Sequence, residues 1–288
     1  MSDWKYYNHA LVSNTAPHVT PDIGQLKQNW TKLAGGAKPL LARYTDDFDC
    51  GKETNWWYVI CDTPFNIKNI NSKKRNVINN GNKHCDVFIA NPIDYENELL
   101  SLNNEAQKTY DKTTRQVSSK GDFHNYLEQL QKDDSIEFYV CVLKDTKECA
   151  GYAVVRKYAS YCVLQSQKAK PSLEKYQTNA ALLNYILERY NDRISQGYYI
   201  CDGERNISHD THFQDYLEKY FGFRKAYCKL RVIYKTSIRI VVNILYPFRG
   251  LLKRFESIKL IHNINGVLKM EECIRENEWF GFNNNAII

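Results

Sequence analysis

The stretch from Gly197 to Tyr234 constrains the fold of this chain more than any other part of its sequence. It begins with a short β-prone run, Tyr198–Cys201, which the turn-forming pair Asp202 and Gly203 closes. A helix should follow, because apolar residues recur there at the spacing of one helical face. They are Phe213, Tyr216, Leu217, Tyr220 and Phe221.

The end of this stretch predicts where the helix stops and the next strand starts. Gly222 should end the helix, since a residue without Cβ adopts the left-handed conformation most readily. From Phe223 to Tyr234 apolar and polar residues alternate, which is the period of a strand. The pattern predicts an α/β (α+β) fold with a mixed central sheet flanked by helices. The strand at Tyr198–Cys201 should lie in the interior of that sheet.

The loop at residues 202–210 is the first candidate for a functional site. It holds the densest polar cluster of the chain: Asp202, Glu204, Arg205, Asn206, Ser208 and His209. Loops at the carboxyl ends of strands are where α/β sheets usually bind ligands.

The chain before this stretch contains several shorter predicted elements. Strand patterns occur at 40–44, 55–62, 86–90, 136–143, 149–156 and 160–165. The last three of these follow one another and predict an antiparallel meander. Helix patterns occur from Ser72 to a stop at Gly81, and at 92–110, 123–131 and 178–190. The polar residues 111–121 predict a loop that could serve as a lid.

Three cations, Lys73, Lys74 and Arg75, fall at the start of the predicted helix that begins at Ser72. Positive charge there opposes the helix dipole and costs about 0.3–1 kcal/mol per residue. Either an anionic ligand offsets this cost or the cations form a solvated face. Lys73 and Arg75 are therefore candidate binding residues.

Composition favours a folded cytoplasmic protein. Hydrophobic residues make up 43% of the 288 residues, which argues against disorder, and the net charge of +6 permits an anionic partner without requiring one. The chain has 9 cysteines, and none form a Cys-x-x-Cys pair. This usage and a polar N-terminus predict reduced thiols, no signal peptide and a cytoplasmic location.

The segment at 238–255 is apolar and basic, with Pro247 inside it, and predicts two helical pieces. A basic amphipathic helix can lie on a membrane surface or pack on its own domain, and the sequence permits both. Peripheral membrane contact through 238–255 is therefore an expectation. The apolar run there is too short for a transmembrane helix.

From Asp86 onward the order of elements resembles that of the GNAT (N-acetyltransferase) superfamily. Two segments, SKKRNVINNGNKHCDVFIANP and YLEKYFGFRKAYCKLRVIY, are similar to the opening and the F-K-x-x-F-G ending of Fem-type aminoacyltransferases, which build peptidoglycan cross-bridges on a GNAT scaffold. A third, LLARYTDDFDCGKETNWWYVICDTPF, resembles the entry segment of GNAT-like proteins often encoded beside surface-polysaccharide genes. The resemblance spans roughly residues 40–235.

The resemblance implies an acyltransferase that moves an acetyl or aminoacyl group to an amine or hydroxyl of a cell-surface sugar or peptidoglycan precursor. Its donor would be an acyl-CoA such as acetyl-CoA, or aminoacyl-tRNA. Acetyl-CoA-dependent members bind pyrophosphate with a Q/R-x-x-G-x-G/A loop at a helix N-terminus. Here that position reads QSQKAKPSLEKYQTNAALL, without glycine, so Lys168 and Lys170 are the candidates to meet phosphates.

Acyl transfer needs a proton acceptor, donors for the oxyanion and an acid for the leaving group. His209 and Glu204 are candidate bases that Asp202 could orient, and Tyr220 or Tyr227 is the candidate acid by analogy with the GNAT tyrosine. Arg205 and Arg75 are expected to hold an anionic group, and Lys225 belongs to a basic strand face that could cradle phosphate. His209 and His212 lack a third ligand, so no metal is expected.

Two readings outside catalysis remain open. A GNAT-like domain without its donor loop could be an inactive binding or scaffolding protein, which the missing glycines favour and the polar loop argues against. A nucleic-acid binder is the third class, although the net charge is low for one and no Arg-rich run is present.

The expected organisation has three segments. Residues 1–85 form an extension packed on the body, 86–235 the GNAT-like domain and 236–288 a helical tail. Within this arrangement the loop at 202–209 and the cations at 73–75 are expected to border one cleft.

Overall fold

The computed structural model describes residues 2–28, 30–109, 117–207 and 212–279. The strands in this part of the chain are β1 Trp4–Tyr7, β2 Ala10–Ser13, β3 Leu41–Asp46, β4 Trp56–Cys61, β5 Cys85–Ile89, β6 Ile136–Leu143, β7 Cys149–Lys157, β8 Tyr161–Ala169, β9 Tyr199–Glu204 and β10 Arg224–Tyr234. The helices are α1 Ile23–Gln28, α2 Trp30–Leu33, α3 Ser72–His84, α4 Glu96–Gln107, α5 Lys120–Gln131, α6 Thr178–Ile194, α7 His212–Phe221, α8 Thr236–Leu245, α9 Arg249–Leu252 and α10 Lys259–Trp279.

The chain forms two compact units. Unit 1 comprises Met1–Tyr58, Glu204–Thr211 and Lys225–Ile288, and unit 2 comprises Val59–Gly203 and His212–Arg224. Each unit is made of segments that are separate in sequence but close in space. The predicted domains at 1–85, 86–235 and 236–288 therefore stay a prediction.

Unit 2 contains the mixed sheet that the sequence predicts. Its strand order is β4-β9-β8-β7-β6-β5, with β4 contributing residues 59–61. Strands β5 to β8 pair antiparallel with their neighbours, and β8 pairs parallel with β9. The predicted meander and the interior position of β9 are both confirmed.

Apolar helix faces cover this sheet. Side chains of α4 and α5 pack on β6 and β7 in one core, which includes Leu99, Leu102, Phe123, Leu127, Phe138, Val140, Tyr152 and Val154. Helix α6 contacts β5 to β8 and buries Leu182, Leu183 and Ile186 completely. On α7 the spacing of Leu217 and Phe221 puts both on the buried side, where the ring of Phe221 lies 5.7 Å from that of Phe65.

Unit 1 has its own strands and core. Strand β2 pairs antiparallel with β1 and parallel with β3, and β3 pairs antiparallel with β10. The fully buried Trp56 packs with Leu41 and with side chains of β10, including Cys228 and Leu230. This contact joins the segment at 40–62 to β10 within unit 1, and its packing on the predicted body at 86–235 stays a prediction.

Several predicted boundaries are wrong. Helix α3 begins at Ser72 as predicted, but it does not stop at Gly81 and runs to His84. Asn71 is its N-cap, with the side chain accepting from the Lys74 amide at 3.0 Å. Strand β9 does not end before Asp202 but continues to Glu204. The predicted helix at 92–110 is a 3-10 turn, Pro92–Tyr95, followed by α4.

Candidate functional site

In unit 2 the strands β8 and β9 part shortly after they pair. Their parallel ladder joins Tyr161 to Tyr199, Cys162 to Ile200 and Val163 to Cys201, although both strands continue beyond it. The β7–β8 register shifts just there, because Val154 faces Ser166 and Val155 faces Leu164. Gln165 is thus an extra residue on β8. A bulge bends the strand that carries it, and bulges are common next to active sites.

Asp202 is the first residue of β9 after this ladder ends. The carboxyl is half-buried, and burial raises its pKa from 3.8 to about 6. Gln214 Nε2 donates to Asp202 Oδ2 over a long 3.4 Å, which counters the rise only in part. A carboxyl with this pKa is ionised at neutral pH yet holds a proton far more readily than an exposed aspartate.

Gly203 gives the chain its direction after Asp202. Its φ is +119°, a conformation that only glycine adopts readily. Its amide donates to the Cys201 sulfur at 3.3 Å. The sequence pattern predicted a turn at Asp202 and Gly203. Instead, β9 continues through both residues, and Gly203 changes the backbone direction next to the Asp202 carboxyl.

The other predicted proton-transfer groups have different surroundings. Glu204 forms an ion pair with Arg43 in unit 1, so its charge is already compensated. The ring of Tyr220 lies 5.1 Å from that of Tyr216, and the ring of Tyr227 meets Trp57 edge-on at 6.2 Å. His209 lies outside the described residues. The roles assigned to these residues stay predictions.

Arg205 and Lys225 share one aromatic platform in unit 1. The guanidinium carbon of Arg205 lies 4.7 Å from the centre of the Trp57 ring, and Lys225 Nζ lies 4.5 Å from it. Arg205 Nη1 also donates to the Asn55 carbonyl at 2.6 Å, and its backbone amide donates to the Trp57 carbonyl at 2.8 Å. Trp57 was not among the predicted site residues, because its place in a strand pattern gives no sign of the cations around it.

The cations at the start of α3 differ in their contacts. Lys73 is exposed, whereas Arg75 is half-buried and donates from Nη2 to the Ile70 carbonyl at 3.0 Å. Within the described part of the chain, Arg75 Nε is buried without a hydrogen-bond partner. Arg75 belongs to unit 2 and Arg205 to unit 1, so a cleft shared by the two stays a prediction.

Lys168 lines a cavity of about 230 Å³ in unit 2. Burial lowers the pKa of Lys168, and Nζ donates to Oδ1 of Asn103, a side chain that is only 4% exposed. The cavity is lined by Asn103, Gln107, Ser118, Asp122, Phe123, Tyr126, Tyr152, Ser166 and Lys168. Lys170, in contrast, donates to Glu148 at 2.6 Å, and this bond raises its pKa. Of the two predicted phosphate ligands, Lys168 lines a cavity and Lys170 is compensated by a carboxylate.

The first turn of α6 is buried under α3. Thr178, Ala180 and Ala181 are each at most 1% exposed. Gly81 makes this contact possible, since a Cβ there would lie 2.8 Å from the Gln177 carbonyl oxygen and 2.9 Å from the Ala181 nitrogen. Gln177, in the left-handed conformation, leads into the helix in place of glycine. The helix end that the resemblance to acetyl-CoA-dependent GNAT proteins would assign to pyrophosphate is therefore packed against α3 through Thr178, Ala180 and Ala181, while Asn179 is half-exposed.

Comparisons with known proteins support the fold. No family model matches the chain, and no curated protein matches its sequence. Among the solved structures that match, two do so over most of both chains with a TM-score above 0.5. FemX is 9% identical, covering 79% of this chain and 81% of that one with a TM-score of 0.53. L-PGS from Bacillus licheniformis is 13% identical, covering 84% and 83% with a TM-score of 0.51. At these identities the likeness shows the fold alone.

Proposed function

We propose that this chain, whose fold is the Fem-like form of the GNAT superfamily, is an acyltransferase that modifies an amine or a hydroxyl. One observation carries the proposal: Asp202, with its pKa raised to about 6, stands where the ladder between β8 and β9 ends. Ligands of open α/β sheets bind near the carboxyl ends of strands, and Asp202 lies in the carboxyl-terminal half of β9, past its pairing with β8.

Asp202 would act as the general base. Its carboxylate accepts a proton from the attacking amine or hydroxyl while the new bond to the acyl carbon forms. When the tetrahedral intermediate collapses, the bond to the leaving oxygen or sulfur breaks and the proton passes to that atom. Asp202 is then ionised again. This assignment moves Asp202 from the orienting role expected from the sequence to the base itself, since Glu204 is engaged by Arg43.

The donor that fits this chain better is aminoacyl-tRNA. Acetyl-CoA needs its pyrophosphate neutralised, and at the start of α6 the amides of Ala180 and Ala181 already donate to the Gln177 carbonyl, while Thr178 and Ala180 are buried. An aminoacyl ester of tRNA brings phosphates spaced along a backbone, which scattered cations of a chain with net charge +6 can meet.

The acceptor proposed is a cell-surface sugar or peptidoglycan precursor. Support comes from the resemblance of residues 72–92 and 216–234 to Fem-type segments and from the shared fold with FemX. An amine or hydroxyl on such a precursor is the nucleophile that the proposed base requires.

A thermal-shift screen of the whole chain tests the donor. The probes are a pool of aminoacylated tRNA, the same pool deacylated, and acetyl-CoA. A ligand of the native state raises the unfolding free energy by RT ln(1 + [L]/Kd), about 2.7 kcal/mol at a hundredfold excess over Kd. We expect charged tRNA to give the largest increase in Tm, above that of deacylated tRNA.

Each other outcome has a defined meaning. Equal shifts with charged and deacylated tRNA would mean that the chain binds nucleic acid without recognising an acyl ester. A larger shift with acetyl-CoA would overturn the donor and keep the acyl transfer. No shift with any probe would favour the inactive binding protein.

A further inference from the structure

The helical segment after β10 has apolar side chains on two opposite sides. It comprises α8, the 3-10 turn Tyr246–Phe248, α9 and the 3-10 turn Lys253–Phe255. Its inner side packs on the core of unit 1 through Ile238, Val242, Leu245, Tyr246 and Leu252, against residues that include Leu268 and Met270 of α10. The segment is therefore anchored to folded protein.

The outer side exposes a stripe of large apolar residues. Within the described residues, eight of the fifteen exposed large hydrophobic side chains lie between 240 and 260. This outer stripe consists of Ile240, Val241, Ile244, Phe248, Leu251, Phe255, Ile258 and Leu260, with exposures from 48% to 69%. From Val241 to Ile258 its members recur every three or four residues, which is the spacing of one helical side. A helix that is apolar all round normally has its second side covered as well.

Positive charge borders the outer stripe. Lys253, Arg254 and Lys259 are exposed and form no ion pair within the part of the chain that the structure describes. Arg239 and Arg249 pair with carboxylates of α10. The one acidic residue in the sequence from 235 to 260 is Glu256, which lies within 3.7 Å of both His262 and Lys269. The surface around the stripe is thus cationic.

We infer that the outer stripe binds an anionic lipid surface. Apolar side chains would enter the boundary between headgroups and acyl chains, while Lys253, Arg254 and Lys259 meet the negative headgroups. A second copy of the chain fits this surface less well, because pairing the stripe with itself would bring like charges together. The 3-10 turn that contains Pro247 also interrupts the regular helix that a coiled-coil seam needs. No helix in residues 2–28, 30–109, 117–207 or 212–279 is long and apolar enough to cross a membrane.

Flotation with lipid vesicles tests the inference on the full chain. The vesicles contain phosphatidylcholine alone or phosphatidylcholine with phosphatidylglycerol. We expect the wild-type chain to float with the anionic vesicles only, and to be released as salt is raised. The double variant Lys253→Glu/Arg254→Glu should lower the partition coefficient at least about tenfold, since each cation near an anionic surface contributes roughly fivefold.

Two further variants separate the effect of overall charge from the effect of the apolar side chains. Lys68→Glu/Lys83→Glu changes the net charge equally at exposed positions of unit 2, outside the unit that carries the stripe, and it should bind like the wild type. Phe248→Ser/Phe255→Ser should lose binding while its far-UV circular dichroism and Tm stay near those of the wild type. If this variant does not fold, the charge variants still decide the question.

The inference fails if the wild-type chain ignores anionic vesicles or if both charge variants lose binding equally. It also fails if the chain is a dimer by light scattering and Phe248→Ser/Phe255→Ser makes it monomeric. In that case the outer stripe is an interface between copies.

Discussion

At the scale of single residues, the raised pKa of Asp202 makes the stability of the fold depend on pH. Its pKa is raised from 3.8 to about 6, so between these pH values the folded state holds a proton that the unfolded state has released. The free energy of unfolding therefore falls as pH rises through this window and stays lower above it. A shift of about two units corresponds to roughly 3 kcal/mol as an upper estimate.

Asp202→Asn should remove this cost. We expect the variant to exceed the wild type in unfolding free energy by roughly 1–3 kcal/mol at pH 7.5, and by much less at pH 4.5. Urea melts at the two pH values measure the difference. Asp192→Asn, at an exposed position of α6, is the matched control and should show no such trend. A difference for Asp202→Asn that does not grow with pH would mean that the carboxyl is not desolvated.

At the scale of elements, the packing of α3 on α6 depends on Gly81. Its substitution by alanine places a Cβ within 2.9 Å of two backbone atoms, which cannot move aside as a side chain can. We expect Gly81→Ala to destabilise the chain by about 1–3 kcal/mol in urea melts. In Gly266→Ala, within α10, the new Cβ meets nothing within 4 Å, so that variant should be neutral or slightly stabilising. Equal effects would refute the close approach of α3 and α6.

The apolar side of α7 gives a second test at this scale. Leu217 is completely buried, and Leu217→Ala should cost about 2–5 kcal/mol in unfolding free energy. Lys219 is exposed, with Nζ 5.2 Å from the centre of the Tyr220 ring, so Lys219→Ala should cost less than about 0.5 kcal/mol. Comparable losses in urea melts would show that the buried side of α7 is assigned incorrectly.

Elements with a regular period could be predicted from the sequence, and the irregular ones could not. The boundaries of β6 were predicted fully, because its apolar run is bounded by turn residues. Strand β8 was predicted only to Gln165, since the bulge there breaks the alternation on which the prediction depends. The local preference of glycine predicted that the helix ends at Gly81. The structure shows instead that a glycine is needed there because α6, which is distant in sequence, packs directly against it. Strands β1 and β2 were missed because each has only four residues.

At the scale of the whole molecule, the order of predicted elements was enough to predict the fold. The properties of the candidate site depend on burial and tertiary contact, which sequence patterns do not contain. Asp202 was predicted as a site residue from its place after a strand. Its raised pKa comes from burial, which only the packed structure supplies. The packing of the start of α6 against α3 likewise comes from tertiary contact, which the sequence pattern does not contain.

We propose that Asp202 takes the proton in acyl transfer, and a pH profile of the reaction tests this role. Charged tRNA is the donor, a panel of small amines and hydroxyl compounds supplies the acceptor, and single-turnover rates are measured from pH 5 to 8 for the wild type, Asp202→Asn and Asp192→Asn. We expect the wild-type and Asp192→Asn rates to rise to a plateau with an apparent pKa near 6. Asp202→Asn should bind charged tRNA normally and transfer at least about a hundredfold more slowly at pH 7.5. An Asp202→Asn variant that keeps the wild-type rate and profile would contradict the account.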